Sequence, residues 1–231
     1  AGRVDSFSVS GINWIKIILQ NDFSTNTIKN ALVDAQNIEM SLLSSHDEVR
    51  FKMFHISIPD SLMTVDSVRY YSLFDDEQFF ETSPFRQTRF QFDIPGLEIT
   101  GLDCISLLNG NLYKAQNIRV HDIFADILVN MDKPYNKNSP NPQMPNEVLS
   151  SMKEIVRIDS LSIINGRLKY CERYAVKATP GVITFDKVNV SVSGIANHNS
   201  PPDSATVVAE GLFMNTATMK LFMEIPLSST D

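Results

Sequence analysis

Val49-Arg50-Phe51-Lys52-Met53-Phe54-His55-Ile56-Ser57-Ile58 is the stretch that decides the class of fold. Large apolar side chains recur with a polar residue between most of them. A period of two sets one face of a strand against apolar surroundings and leaves the other in water. Arg89-Phe90-Gln91-Phe92-Asp93-Ile94 repeats the pattern, as do Arg157 to Ile163 and Val182 to Val192. Ala205 to Phe213 and Ala217 to Ile225 are further strand candidates. Pro95-Gly96, Asn165-Gly166 and Pro180-Gly181 read as turns that punctuate hairpins. The expectation is an all-β, antiparallel chain of many strands.

Two segments break the alternation. Ile12 to Leu19 reads equally as a short helix or a buried strand. Asn146 to Val156 reads as a helix: Pro145 precedes it, and Val148, Leu149, Met152, Ile155 and Val156 fall on one face at helical spacing. Before it, Lys133 to Pro142 is too rich in Pro and Asn to be regular. This loop divides the chain into β-repeat segments 1–140 and 141–231, the second opening with helix 146–156 and continuing the first. A second loop is expected at His198 to Asp203.

Short motifs recur. Val4-Asp5-Ser6 returns as Val65-Asp66-Ser67 and as Ile158-Asp159-Ser160. Ala35-Gln36-Asn37-Ile38 returns as Ala115-Gln116-Asn117-Ile118, each copy preceded by a matching lead-in, Val9-Ser10-Gly11-Ile12-Asn13 and Ile99-Thr100-Gly101-Leu102-Asp103. Ser106 to Leu112 likewise resembles Ser162 to Leu168. The physical reading is a repeated strand unit, each burying its apolar face on the next.

Hydrophobic residues make up 43% of the 231 positions, which sets disorder aside for most of the chain. A net charge of −7 with scattered Lys and Arg argues against a nucleic-acid partner, whose phosphates need clustered cations. Cys104 and Cys171 have no CxxC companions, so a structural zinc fails on ligand count. Sequence leaves open whether the two pair or stay as separate thiols. His46, His55, His121 and His198 show no metal-ligand spacing, and no cofactor is expected. Asp75-Asp76-Glu77 lacks the spaced oxygens and Gly of a calcium loop and reads as an exposed acidic loop. Ser150-Ser151-Met152-Lys153 holds the S-x-x-K spacing of serine acyl-enzymes, but their partner motifs are missing. No catalytic, cofactor or metal residues are assigned.

The run from Ile155 to Ile195 combines a strand of the form I-D-S-L-x-I, an Asn-Gly pair, a strand ending in Tyr, and P-G-x-I-x-F-x-x-V. With Glu224-Ile225-Pro226-Leu227 it resembles AsmA-like proteins of the Gram-negative cell envelope, related to TamB-type and bridge-like lipid-transfer proteins. The lead-in at Gly101-Leu102-Asp103 extends the resemblance, most firmly over 99–231. It implies an elongated, strongly curved antiparallel sheet with an apolar inner face and one or two short helices. It also implies a periplasmic, internal piece of a membrane-tethered protein that binds or conducts phospholipid or fatty acyl chains for outer-membrane homeostasis, without catalysis. The competing expectation is a structural or adhesive β-repeat that contacts other proteins. Phe51, Phe54, Phe90, Phe92, Phe185 and Phe213 either fill a closed core or line an open groove.

Overall fold

The computed structural model describes residues 2–12, 19, 25–42, 46–110, 112–138, 144–197 and 204–227. One sheet of eleven strands dominates it. In chain order these are β1 (Gly2–Ser10), β2 (Leu32–Leu42), β3 (Asp47–Ser57), β4 (Leu62–Ser72), β5 (Thr88–Thr100), β6 (Leu112–His121), β7 (Phe124–Asn130), β8 (Ile155–Arg173), β9 (Gly181–Ala196), β10 (Ser204–Phe213) and β11 (Ala217–Pro226). Short helices lie in the connections: α1 (Thr25–Ile28), α2 (Asp76–Glu81), α3 (Cys104–Asn109) and α4 (Pro145–Ser151).

β1 to β5 pair in chain order, each antiparallel to the last. β5 then meets two partners, β6 along Gly96–Thr100 and β7 along Thr88–Asp93. Both lie parallel to β8 at a single register, Leu112 opposite Ile155 and Asn130 opposite Arg173. β6 and β7 are therefore halves of one strand line, interrupted at Asp122. Parallel pairing obliges the chain to return to the start of that line before β8, and α4 lies on that return. The buried Asn197 fastens this crossover. Its Oδ1 accepts from the Val156 N–H at 2.7 Å, and its Nδ2 donates to the carbonyls of Leu149 (3.0 Å) and Glu154 (2.9 Å). β9, β10 and β11 complete the sheet antiparallel.

Half of the ten strand lines bend at the same height. Asn37 (φ 50), Ser67 (φ 54), Asp122 (φ 54), Asn165 (φ 56) and Lys187 (φ 49) all adopt the left-handed conformation in mid-strand. The register places them in one line across the sheet, with Asn37 between the pairs Gln36–Met53 and Ile38–Phe51, and Ser67 between Asp66–Gly96 and Val68–Ile94. A left-handed residue redirects the strand and shifts the alternation by one, so inward positions 33 and 35 of β2 are followed by 38 and 40. The crease closes toward the apolar side. A Cβ on Gly166 would meet Ile123 and Ile163 methyls at 3.1 Å, one from each side of the bend. A second line of positive φ crosses the sheet about six residues away: Gly194 lies within β9, and Gly11, Ser61 and Gly101 stand just past the ends of β1, β3 and β5.

Several expectations change against this architecture. Pro95-Gly96 and Asn165-Gly166 are not hairpin turns: they lie inside β5 and β8, on the first crease. The helix expected over 146–156 stops at Ser151, because Ile155 and Val156 pair with Leu112 and Tyr113 as the start of β8. Asp75-Asp76-Glu77 is no open loop. Asp75 caps α2 by accepting from the Gln78 N–H at 2.9 Å, and the other two acids face buried arginines. The two Ala-Gln-Asn-Ile copies are not equivalent, since Ala35 lies between the creases and Ala115 beyond the second. Ser106 to Asn109 is part of α3, whereas Ser162 to Leu168 is strand. The lead-ins do correspond: Val9 and Ile99 share one row of the sheet, each followed by a left-handed glycine. Ile12 to Leu19 and His198 to Asp203 fall outside the described residues, apart from Ile12 and Leu19.

Candidate functional site

Between the creases each strand contributes two inward side chains, and pairing carries each into a row spanning the sheet. One row runs Phe7, Ala35, Phe54, Val65, Leu97, Val120, Ile163, Val190, Ala209, Leu221. The next runs Val9, Val33, Ile56, Met63, Ile99, Ile118, Leu161, Val192, Val207, Met223. Every member is apolar. The row between them, on the opposite face, is Ser8, Asp34, His55, Thr64, Glu98, Arg119, Ser162, Ser191, Val208, Phe222. It is polar through β9. His55 lies 2.7 Å from Asp34 and Arg119 lies 3.0 Å from Glu98 along it.

Past the first crease the inner face rises as an aromatic wall: Met40, Val49, Tyr70, Phe92, Ala125, Leu168, Phe185, Phe213 in register. Phe90 stacks on Phe92 at 6.2 Å, Tyr70 leans on Phe92 at 5.9 Å, and Phe185 meets Phe213 at 5.5 Å. Past the second crease, Leu102, Cys104 and Leu107 of α3 and its approach pack on Ile56, Met63, Ile99 and Ile118, forming the opposite bank. Floor, aromatic wall and bank make a trough whose axis crosses the strands. Nine strand steps of about 4.8 Å give it a length of roughly 43 Å.

Away from the α3 bank, no second layer covers this apolar face among the described residues. Only Ala35 and Val65 of the two floor rows are buried, while Phe7 is 68% exposed and Leu221 49%. The most deeply buried large apolar side chain among the described residues, Phe80, lies on the outer face. The accessible surface is 14386 Å², where a compact monomer of 26.0 kDa exposes about 10,500 Å². Toward β11 the trough deepens into a hollow of about 310 Å³, lined by Leu168, Phe185, Val188, Ala209, Gly211, Met219 and Leu221 with Glu210 and Lys220.

The aromatic wall is braced from outside by α2. Phe80 packs on Leu128 and Cys171, with the Arg173 guanidinium 4.8 Å from its ring centre. Buried Arg89 meets Asp126 at 2.9 Å and Asp76 at 2.8 Å, and Lys169 also reaches Asp126 at 2.9 Å. Arg173 meets Glu77 at 2.5 Å. At the rim, the Tyr70 hydroxyl donates to Asp47 and that of Tyr71 to Glu48. Burial and these acceptors push both phenols up to about 12.

All six phenylalanines singled out from sequence lie on the inner face, and none is buried. The aliphatic partners that complete the rows were not singled out; their alternation was visible, but which strands stand side by side was not. Cys104 and Cys171 are free thiols in separate clusters, one at α3 and one under α2, and burial raises the pKa of each. Ser150 donates to the Glu147 carbonyl at 3.0 Å, and Lys153 lies beyond the end of α4, so the two do not share a helical turn. Among the described residues no group of three His, Cys, Asp or Glu side chains could hold a metal, and no helix is long and apolar enough to cross a membrane. No protein-family model matches the chain, and no curated protein sequence matches it.

Proposed function

We propose that this chain is a periplasmic segment of an AsmA-like envelope protein whose trough shields lipid acyl chains in passage, with membrane attachment supplied by other parts of the protein. The observation that carries this reading is the pair of unbroken apolar rows across ten strand positions, of which only Ala35 and Val65 are buried. Soluble proteins rarely leave so large an apolar face without a use. Burying a methylene contributes at most about 0.8 kcal/mol, so a dozen give roughly 10 kcal/mol before association costs of at least about 4 kcal/mol. The balance is weak binding. Because the floor rows carry no polar side chain, no hydrogen bond or charge pins a chain at one position along them, and a chain held there is free to slide. The mechanism is passive and needs no catalytic group. The alternative, a β-module that contacts other proteins, draws on the exposed strands β1 and β11 at the two edges.

The test sets an inner residue against its neighbour on the outer face. Val190→Asp places a charge on the floor, and Ser191→Asp places the same charge outside. A fluorescent fatty acid should bind the natural chain saturably, lose at least tenfold in affinity with Val190→Asp and be unchanged with Ser191→Asp. Native mass spectrometry with lipid extraction on material from a bacterial envelope should find bound phospholipid or fatty acid. Equal effects of the two substitutions, or no saturable binding, would sink the proposal in favour of the protein-contact module.

A further inference from the structure

The last strand does not match the pattern of the rest. The outer row between the creases is polar from Ser8 to Ser191, then turns apolar at Val208 (50% exposed) and Phe222 (67%). β11 thus shows apolar side chains on both faces: Leu221 and Met223 inward, Phe222 outward. A strand apolar on both faces is the kind found inside a sheet, not at its rim. Among the described residues its outer edge is nevertheless unpaired, a ready template for another strand.

We propose that β11 joins two copies of this chain, antiparallel, about a two-fold axis at Phe222. The sequence Met219-Lys220-Leu221-Phe222-Met223-Glu224-Ile225 is self-complementary about that residue. Leu221 then meets the partner subunit's Met223 on the inner face, and Lys220 meets the partner subunit's Glu224 on the outer face, twice by symmetry. Neither charge is ion-paired within the chain among the described residues, although Glu210 stands opposite Lys220 in β10. Other registers that keep the inner faces aligned do worse. An axis at Lys220 sets lysine against lysine, and one at Glu224 sets glutamate against glutamate. Axes at Leu221 or Met223 leave both charges facing uncharged residues. Pairing with β1 instead offers Ser6, Ser8 and Ser10 on the outer face, with Arg3 already 2.9 Å from Asp5. The two-fold arrangement keeps both apolar faces on one side, so the trough runs on from one copy into the other.

This inference does not rest on acyl-chain binding, and the two fail separately. Sedimentation velocity of the 231-residue chain at tens of micromolar should show the mass of two copies. Lys220→Glu and Glu224→Lys should each weaken association at least tenfold, and the double swap should restore it. Both side chains are exposed, so the circular dichroism spectrum should not change, and Tm should match that of the natural chain when both are measured at a dilution where they are monomeric. A monomer at every concentration would overturn the proposal. So would an open-ended polymer, since a two-fold contact closes at two, or a dimer indifferent to the single swaps.

Discussion

Asn165 shows how one residue shapes this molecule. Its φ of 56 lies where most side chains lose about 1–2 kcal/mol, and asparagine loses least. Replacement by Val should therefore lower stability by about that amount, while Asn165→Gly, which keeps the conformation and gives up only an exposed hydrogen bond to Asp122, should lower Tm much less; two equal losses would show that the bend does not depend on this conformation. Tyr70 and Tyr71 supply a pH signature. Their folded pKa is about 12, against about 10 in the unfolded chain. Between those values the unfolded chain sheds phenolic protons that the folded chain keeps, so stability falls as pH rises from about 10 to about 12. Ultraviolet titration should show Tyr70 and Tyr71 ionising late, with Tyr170 and Tyr174, whose hydroxyls donate to Glu172, also above the ordinary value, and Tyr70→Phe or Tyr71→Phe should each remove one late group; six ordinary titrations would refute it. Asn165-Gly166 was legible in the sequence as a place where backbone turns left-handed. It was not legible as a bend within one strand, because a hairpin and a crease ask the same of the local chain.

At the scale of elements, α2 and the outer face of β5, β7 and β8 form a clamp in which buried cations are matched by acids. Removing one acid leaves a cation out of water without its counter-charge. Asp126→Ala should cost about 3 kcal/mol, the lower end for a broken buried pair, because Asp76 still faces Arg89. Glu77→Gln keeps a hydrogen-bond acceptor beside Arg173 and should cost less. Urea midpoints measured on both variants check the order; a reversed order would place the weight of the clamp on Arg173. The acidic triplet was plain in the sequence, but its partners lie on strands whose placement is a matter of tertiary structure, Arg89 at the start of β5 and Arg173 at the far end of β8, so it read as a solvated loop. α4 was foreseen for the opposite reason, its cues being local. Its end was misjudged because Ile155 and Val156 satisfy a helical period while belonging to a strand, a conflict that only pairing with β6 resolves.

For the whole molecule, alternation in nearly every strand made the all-β sheet readable from the first stretch quoted. The trough was readable only through a resemblance. Concavity depends on left-handed residues from separate strands falling into line, and that alignment is a matter of register, which one sequence leaves open. The trough makes its own demand on a ligand. A closed pocket has an end wall, so affinity for a series of fatty acids passes through an optimum and then drops. Here the floor rows reach both edge strands, Phe7 and Val9 on β1 and Leu221 and Met223 on β11, with no wall across them among the described residues. Full burial of a methylene is worth about 0.8 kcal/mol, a factor of about four in Kd. A chain in an open trough keeps one side in water, which brings the expected factor to between about two and four per methylene. Dissociation constants measured from ten to eighteen carbons should therefore fall steadily, without an optimum. An optimum within that range would mean that the bank at α3 and the aromatic wall meet over the ligand and enclose it, and the sliding mechanism would have to be abandoned for a site of fixed length.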